Sequence, residues 1–454
     1  MMHGRASNLA DAPGQSGALT WLALAYIPLL LVVGGGGTPA PFSELACQLL
    51  AALALVGWVA LRGPDQLRDG KSLWWVIGLI VLVPAVQLIP LPPALWQALP
   101  GRDLLRESLA LVGADQSWRP LSVAPQRTLD GLMALLPPLL ALAMAASLSV
   151  SGRQALLKAI AIFALLSVAV GAGQLASAGN GPLQFYVGND AGVLGGFQAN
   201  RNAQVDVLLI GLIALVAAWH DRAGRSRAVL AALGALALLL LLGAFLTGSR
   251  TGIALAPLAL AWCLYLVRGE LFSQTSLFRV RNLALAGGIG LGLAAAAWQT
   301  RPVQQVLLRF GFSGEYRPDI WRDTLFAIDQ YWPLGSGLGT FTRVIGPAER
   351  LEAIGPVLPN RAHNEYLELL LEGGLPLALA WAAVAVLVLL ALLRALRGTS
   401  GVPRAQAVFG AGTLTIVTLH SLVDYPFRSM ALAGLVGVAV AFVLVPPARS
   451  GNLK

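Results

Sequence analysis

Four short polar clusters break an otherwise apolar chain, and each carries groups able to hold an anion or move a proton. A charge near a membrane interior costs several kcal/mol unless it is paired or serves a purpose, so such residues are functional candidates by default. The first cluster is Gly195-Gly196-Phe197-Gln198-Ala199-Asn200-Arg201-Asn202, with Asp206 one helical turn further on. The second, Thr247-Gly248-Ser249-Arg250-Thr251-Gly252, reads as a tight turn that leaves Arg250 at the head of an apolar helix. A helix N-terminus beside a guanidinium joins amide donors, dipole and charge into an anion site. The plainer account of Arg250 is an arginine reaching for lipid headgroups. The outer face, however, lacks the anionic leaflet that draws such cations, which favours the anion site. In the third cluster, Arg317-Pro318-Asp319-Ile320-Trp321-Arg322-Asp323, Arg317 and Trp321 share a face if the segment is helical. Local ion pairs from Arg322 to Asp319 and Asp323 are the competing account of that stretch. The fourth, Arg361-Ala362-His363-Asn364-Glu365-Tyr366-Leu367-Glu368, puts His363 at the mouth of a helix. Glu365, Glu368 and Glu372 then line one face of that helix. A lone histidine is usually structural, but one beside carboxylates and arginines fits proton transfer. His420 and Asp424 form a further pair near the outer end of a later apolar stretch.

Several other chemistries find no support. No histidine pair has helical zinc spacing, and no aspartate-rich loop of the metal-dependent kind occurs. The serines lack a nucleophile-elbow context. Cys47 and Cys263 both fall inside apolar stretches, so neither a disulfide framework nor a two-thiol metal site is expected. The net charge of +9 is spread over arginines in short loops without a basic, aromatic-interleaved stripe, which argues against nucleic acid. His3 and His220 fall on the opposite, cytoplasmic side from the clusters.

The elements that must position these groups are membrane helices. Apolar residues make up 57% of the 454 residues and charged ones 12%, with mean hydropathy +0.72. An ordinary soluble domain carries about 25% charge. The apolar runs are continuous and lack the alternation of a barrel strand, so the predicted fold is an all-α polytopic membrane protein forming one membrane domain over residues 1–454. About 12 spans are expected. They fall near 18–34, 44–61, 73–89, 129–148, 155–176, 203–219, 228–246, 252–267, 283–298, 375–393, 405–423 and 430–446. The first is read as an uncleaved span despite a flank faintly like a cleavage region. Basic residues of the short loops, from Arg62 and Lys71 to Arg397 and Arg404, mark one side as cytoplasmic, with both termini on it. The opposite face then holds two large loops, 90–128 and 299–374, the second with two or three short surface helices and the turn Pro333-Leu334-Gly335-Ser336-Gly337-Leu338-Gly339. All three lysines lie on the cytoplasmic side, so every outer cation is an arginine, whose planar fork suits phosphate.

At these residues the sequence resembles the O-antigen ligase and O-antigen polymerase superfamily of bacterial envelope enzymes. The matching pieces are Gly196-Phe197 with Asn200 and Asn202, then Gly248-Ser249-Arg250-Thr251-Gly252, Arg317 with Trp321, the Pro333–Gly339 turn, His363-Asn364-Glu365, and His420 with Asp424. Each piece is weak alone; their order, spacing and shared side carry the resemblance, which spans about 190–430. It implies a membrane-embedded glycosyltransferase of the inner membrane that works without a metal or other cofactor. The donor would be a glycan on undecaprenyl diphosphate, passed on the periplasmic face to an acceptor sugar hydroxyl on lipid A-core. Fixed cations would then meet the leaving diphosphate, with Arg250 and Arg317 helped by Arg201 or Arg322. The acceptor hydroxyl would need a general base, His363 first and Glu365 second. Attack opposite the diphosphate would invert the anomeric centre. Trp321, Tyr366 and Asn364, with Tyr316, would touch acceptor or sugar, and His420 and Asp424 are secondary candidates.

The chain departs from the ligase pattern once: Gly374 holds the first of two glycines spaced three apart, and Leu377 replaces the second. That keeps His363 and leaves a polysaccharide polymerase, with the same donor and a lipid-linked repeat as acceptor, as the alternative. A transporter or flippase for lipid-linked oligosaccharide is the alternative of another class. Transporters place polar groups at the midplane on broken helices, whereas these clusters sit on one face.

Overall fold

The computed structural model describes residues 13–37, 40–62, 71–177, 181–186, 192–220, 227–272, 304, 316–355 and 358–445. The predicted span at 283–298 lies outside them, as do Arg68, Arg449 and Lys454. In chain order the helices are α1 (Pro13–Val33), α2 (Pro41–Arg62), α3 (Lys71–Gln87), α4 (Pro93–Trp96), α5 (Asp103–Ala110), α6 (Pro125–Ala134), α7 (Leu136–Ala146) and α8 (Val150–Ala176). They continue with α9 (Arg201–Ala218), α10 (Arg227–Leu246), α11 (Arg250–Phe272), α12 (Arg317–Tyr331), α13 (Phe341–Val344), α14 (Glu365–Gly398), α15 (Gly401–His420) and α16 (Met430–Leu444). Among the described residues the only strands are the two-residue pieces Pro90–Leu91 and Arg119–Pro120, paired antiparallel.

The protein is therefore an all-α, multi-pass membrane protein, and the described residues account for part of the expected set of spans. Seven described helices are long and apolar enough to cross a membrane by length and composition. Three further apolar helices, Gly17–Val33, Lys71–Gln87 and Met430–Leu444, are shorter than that standard. The predicted span at 129–148 starts earlier, at Pro125, and is broken at Leu135, where Pro137 and Pro138 withhold two amide donors.

Polar contacts sort the helix ends into two layers. At one end Arg62 donates to Ser147, Gln154 to the carbonyls of Ala217 and Ala218, and Gln406 to that of Val150. At the other, Leu194 N–H meets Leu246, Ala199 N–H meets Gly35 and Ala431 N–H meets Gly34. Helix α9 runs between the layers through the middle of the bundle, buried on nearly every face among α8, α10, α11 and α15. By contrast, α2 turns Leu45, Leu49, Leu53 and Val56 outward, an apolar stripe that suits lipid and would be unfavourable in water.

A second, smaller core lies at the end that carries the polar clusters. Ile320, Ala327, Phe341, Val344, Ile345, Ala348, Ala362 and Leu371 pack together and fasten α12 and α13 over the head of α14. The expected surface helix near Glu365 is not a separate piece: it runs into the following span, with one break at Gly374 (φ 56°, ψ −154°). The glycine turn fills that break. Ser336 N–H and Gly337 N–H donate to the carbonyls of Leu371 and Glu372, and Leu375 N–H donates back to Pro333. Gln87 completes the joint, donating to the Glu372 carbonyl at 2.8 Å and accepting from Leu338 N–H at 2.9 Å. A Cβ on Gly374 would lie 2.1 Å from the Pro333 oxygen, so only glycine serves there. Leu377 sits on the buried side of the same helix and needs no special backbone conformation, which is why a leucine is accommodated in place of a second glycine.

Candidate functional site

Two histidine–aspartate pairs meet where α9 begins and α15 ends. Asn200 caps α9 by accepting from Asn202 N–H, and Asn202 and Asp206 then lie one turn apart on the same face. His420 is the last residue of α15, and the loop to α16 carries Asp424, Tyr425 and Arg428. Because the helix stops at His420, the expected pairing of His420 with Asp424 does not form. Instead His420 Nδ1 lies 2.7 Å from Asp206 Oδ1, and Asp424 Oδ1 lies 3.2 Å from His363 Nδ1. Asn202 donates to the other Asp424 oxygen at 2.5 Å.

His363 has φ 50°, the only non-glycine residue among those described in the left-handed region. That conformation costs of order 1–3 kcal/mol and persists only when its surroundings fix it. Tyr425 and Tyr316 do so, meeting the imidazole edge-on at centroid distances of 4.9 and 5.6 Å. Burial would raise the Asp424 carboxyl. The hydrogen bond from His363, the charge of His420 and the amide of Asn202 outweigh it and hold Asp424 below the usual carboxylate range. In the tautomer with its proton on Nδ1, His363 donates to Asp424 and its Nε2 keeps the lone pair.

The second pair is more deeply enclosed. His420 Nε2 and Asp206 Oδ2 are buried and make no hydrogen bond among the described residues. Both groups line a narrow crevice with Asn200, Asn202, Asp424 and Ser429. Arg317, the first residue of α12, lies close enough to His420 for their charges to interact. Asp206 and Asn202 had a sequence signal, a polar pair inside an apolar run; their partnership with residues more than 200 positions away had none.

Beside this network lies a buried ionic cluster. Glu365, Glu368 and Glu372 face Arg428, whose Nη2 is 3.0 Å from Glu368 and 3.2 Å from Glu372 and whose Nε is 3.5 Å from Glu365. Arg361 donates to Glu368 at 2.8 Å. Backbone amides take the remaining oxygens: Phe427 N–H meets Glu365, Ala362 N–H meets Glu368 and Phe341 N–H meets Glu372. Burial alone would lower the Arg428 guanidinium, but the three carboxylates raise it. The cluster thus clamps the His363 loop, the head of α14, the glycine turn and the loop before α16 to one another. Sequence reasoning did not single out Arg428; its one signal was a charge in a short loop between two apolar stretches.

The other expected site residues divide by location. Arg201 and Arg250 open α9 and α11. Gly252 allows α11 to approach α9, since a Cβ there would meet Val205 at 2.1 Å. Glu365 is engaged in the ionic cluster, and Asn364 caps α14 by accepting from Tyr366 N–H and Leu367 N–H. Trp321 donates to the Ala362 carbonyl at 3.0 Å, and the Tyr366 hydroxyl donates to that of Thr418 at 2.8 Å. Arg322 points outward, 4.0 Å from Asp319. Asp319 and Asp323 pair chiefly with Arg350, at 2.9 and 2.7 Å, a partner from the chain segment after α13. Among the described residues no group of three histidine, cysteine or carboxylate side chains is placed to hold a metal ion.

Residues 235–382 match the family model described as O-antigen ligase. The match takes in Arg250, α12, the glycine turn and His363 with the head of α14, and stops short of His420 and Asp424. It supports placing the chain in the O-antigen ligase and polymerase superfamily and an activity of that general type. No curated protein matches the chain.

Proposed function

We propose that this protein is a membrane glycosyltransferase of the O-antigen ligase type, which moves a glycan from undecaprenyl diphosphate to a sugar hydroxyl of lipid A-core on the periplasmic face of the inner membrane. The observation that carries the reading is His363, whose Nδ1 lies 3.2 Å from Asp424 Oδ1 at the same end of the bundle as Arg201, Arg250 and Arg317; with its proton on Nδ1, Nε2 would serve as the base.

The reaction follows from those groups. The acceptor oxygen attacks the anomeric carbon as its proton passes to His363 Nε2. The bond from that carbon to the diphosphate oxygen breaks, and its electron pair leaves with the undecaprenyl diphosphate. Arg250 and Arg317, with Arg201, meet the growing charge through charge-assisted hydrogen bonds. The imidazolium formed on His363 is paired at once with the Asp424 carboxylate. Attack from the face opposite the diphosphate inverts the anomeric centre. Glu365 is the weaker candidate for the base, because its oxygens already serve Arg428 and the Phe427 amide.

A polymerase would share donor, base and arginines and differ in taking a second lipid-linked repeat as acceptor. A transporter would need the same phosphate contacts without the base. Purified protein in vesicles, given an undecaprenyl-diphosphate glycan, separates them. Transfer to lipid A-core supports the ligase, and extension of the lipid-linked glycan supports the polymerase. Donor equilibrating across the vesicle wall with no transfer to either acceptor would overturn the enzyme reading.

A further inference from the structure

A second concave surface lies apart from the His363 crevice and shares no residue with it. It is a groove of about 630 Å³ between the start of α6 and α13, within the size range of small-ligand sites. Val123 and Pro125 give it an apolar floor, Gln126 and Asp130 a hydrogen-bonding wall, and Arg127 and Arg343 two exposed guanidinium groups. Gln126 donates to Asp130 at 3.0 Å. Neither arginine makes a hydrogen bond or salt bridge with a described residue; Asp130 shares the groove with them, and Glu44 at the head of α2 lies near enough to Arg127 and Asp130 for their charges to interact. Two arginines converging on one groove are the pattern used for phosphate and carboxylate groups. An apolar floor beside an amide and a carboxylate is what a sugar ring with its hydroxyls needs.

The groove is tied mechanically to the base. Thr128 of α6 donates to the Leu338 carbonyl at 2.9 Å, and Val123 N–H donates to Ser336 at 2.9 Å. Phe341, at the start of the helix that carries Arg343, donates its N–H to Glu372. The groove wall, the glycine turn and the head of α14 beside His363 therefore form one hydrogen-bonded unit.

We propose that this groove seats an anionic sugar of the acceptor, one bearing phosphate or carboxylate, and so aligns the acceptor glycan with His363. The inference rests on the glycosyltransferase reading and names the substrate class that reading leaves open.

The test is acceptor kinetics with the purified protein and the Arg127→Ala/Arg343→Ala double variant, using lipid A-core that is intact, phosphatase-treated or carboxyl-reduced. Both side chains are exposed, and unchanged thermal unfolding checks that the variant is folded. The expected result is a rise of roughly tenfold or more in acceptor KM, with donor KM and kcat little changed. One of the two treatments should raise the wild-type KM by a similar factor and add nothing in the variant, which identifies the charged group. Equal KM values for wild type and variant, or indifference to both treatments, would overturn the proposal. Should no transfer occur to any form of lipid A-core, the ligase reading fails. Direct binding of intact lipid A-core to the two proteins still decides the groove, with weaker binding by the variant expected and equal binding contradicting it.

Discussion

Asp424 is the residue on which the chemistry of His363 turns. Its two oxygens accept from His363 and from Asn202. An asparagine there has only one acceptor oxygen for the two donors. If that oxygen keeps the Asn202 bond, the new amide faces His363 Nδ1 as a donor, and the proton moves to Nε2, where the base is needed. Asp424→Asn should therefore fold but lose roughly 10²–10⁴-fold in transfer rate, measured as kcat with saturating donor and acceptor. The same carboxyl links folding to pH. Its folded-state pKa is depressed, so its contribution to stability is complete above the ordinary aspartate value, about 3.9, and is lost as the pH falls through the lower folded value. Thermal unfolding of the wild type in detergent should show that acid-side loss, and Asp424→Asn should show less of it. Identical acid limbs would argue against an ionised Asp424.

At the scale of elements, the break in α14 is the feature the site depends on. It frees two carbonyls, lets the glycine turn dock and delivers Glu372 to Arg428. Gly374→Ala forces a Cβ against the Pro333 oxygen in a left-handed backbone. It is expected to cost about 1–3 kcal/mol locally, lower the melting temperature and reduce transfer through misplacement of the His363 loop. An alanine variant as stable and active as wild type would mean that the turn is not a structural clamp. The sequence announced this element only in part. Gly335, Gly337 and Gly339 were visible as a turn signal, and Gly374 only as one glycine of the ligase pattern. Their docking into one another was not, because it pairs backbone groups some 35 residues apart with no side-chain signature. Helix identity was far more legible: apolar runs of span length can hardly be anything else in lipid, whereas cap and proline effects set their ends.

For the whole molecule, the clusters named from sequence converge on one end of the bundle because α9 begins and α15 ends there, and α12 and α14 are clamped above them. What sequence could not give was the pairing. His420 and Asp424 are four apart yet take different partners, since the helix ends between them, and Arg428 gathers three glutamates from a distant helix. That cluster is an all-or-none element of the architecture: removing one partner from a buried ionic set typically costs 3–5 kcal/mol. One-sided placement of the titratable candidates fits the proposed catalyst working at one membrane surface, where the proposed base, cations and groove would meet substrates together.

In the proposed reaction His363 removes the acceptor proton during glycan transfer. The direct measurement is the single-turnover rate of transfer from an undecaprenyl-diphosphate glycan to lipid A-core, for wild type and His363→Ala in the same vesicles, with donor binding measured in parallel. The rate should fall roughly 10²–10⁴-fold with donor binding retained, since the arginines proposed to hold the diphosphate are untouched. A His363→Ala protein that transfers at the wild-type rate would contradict it.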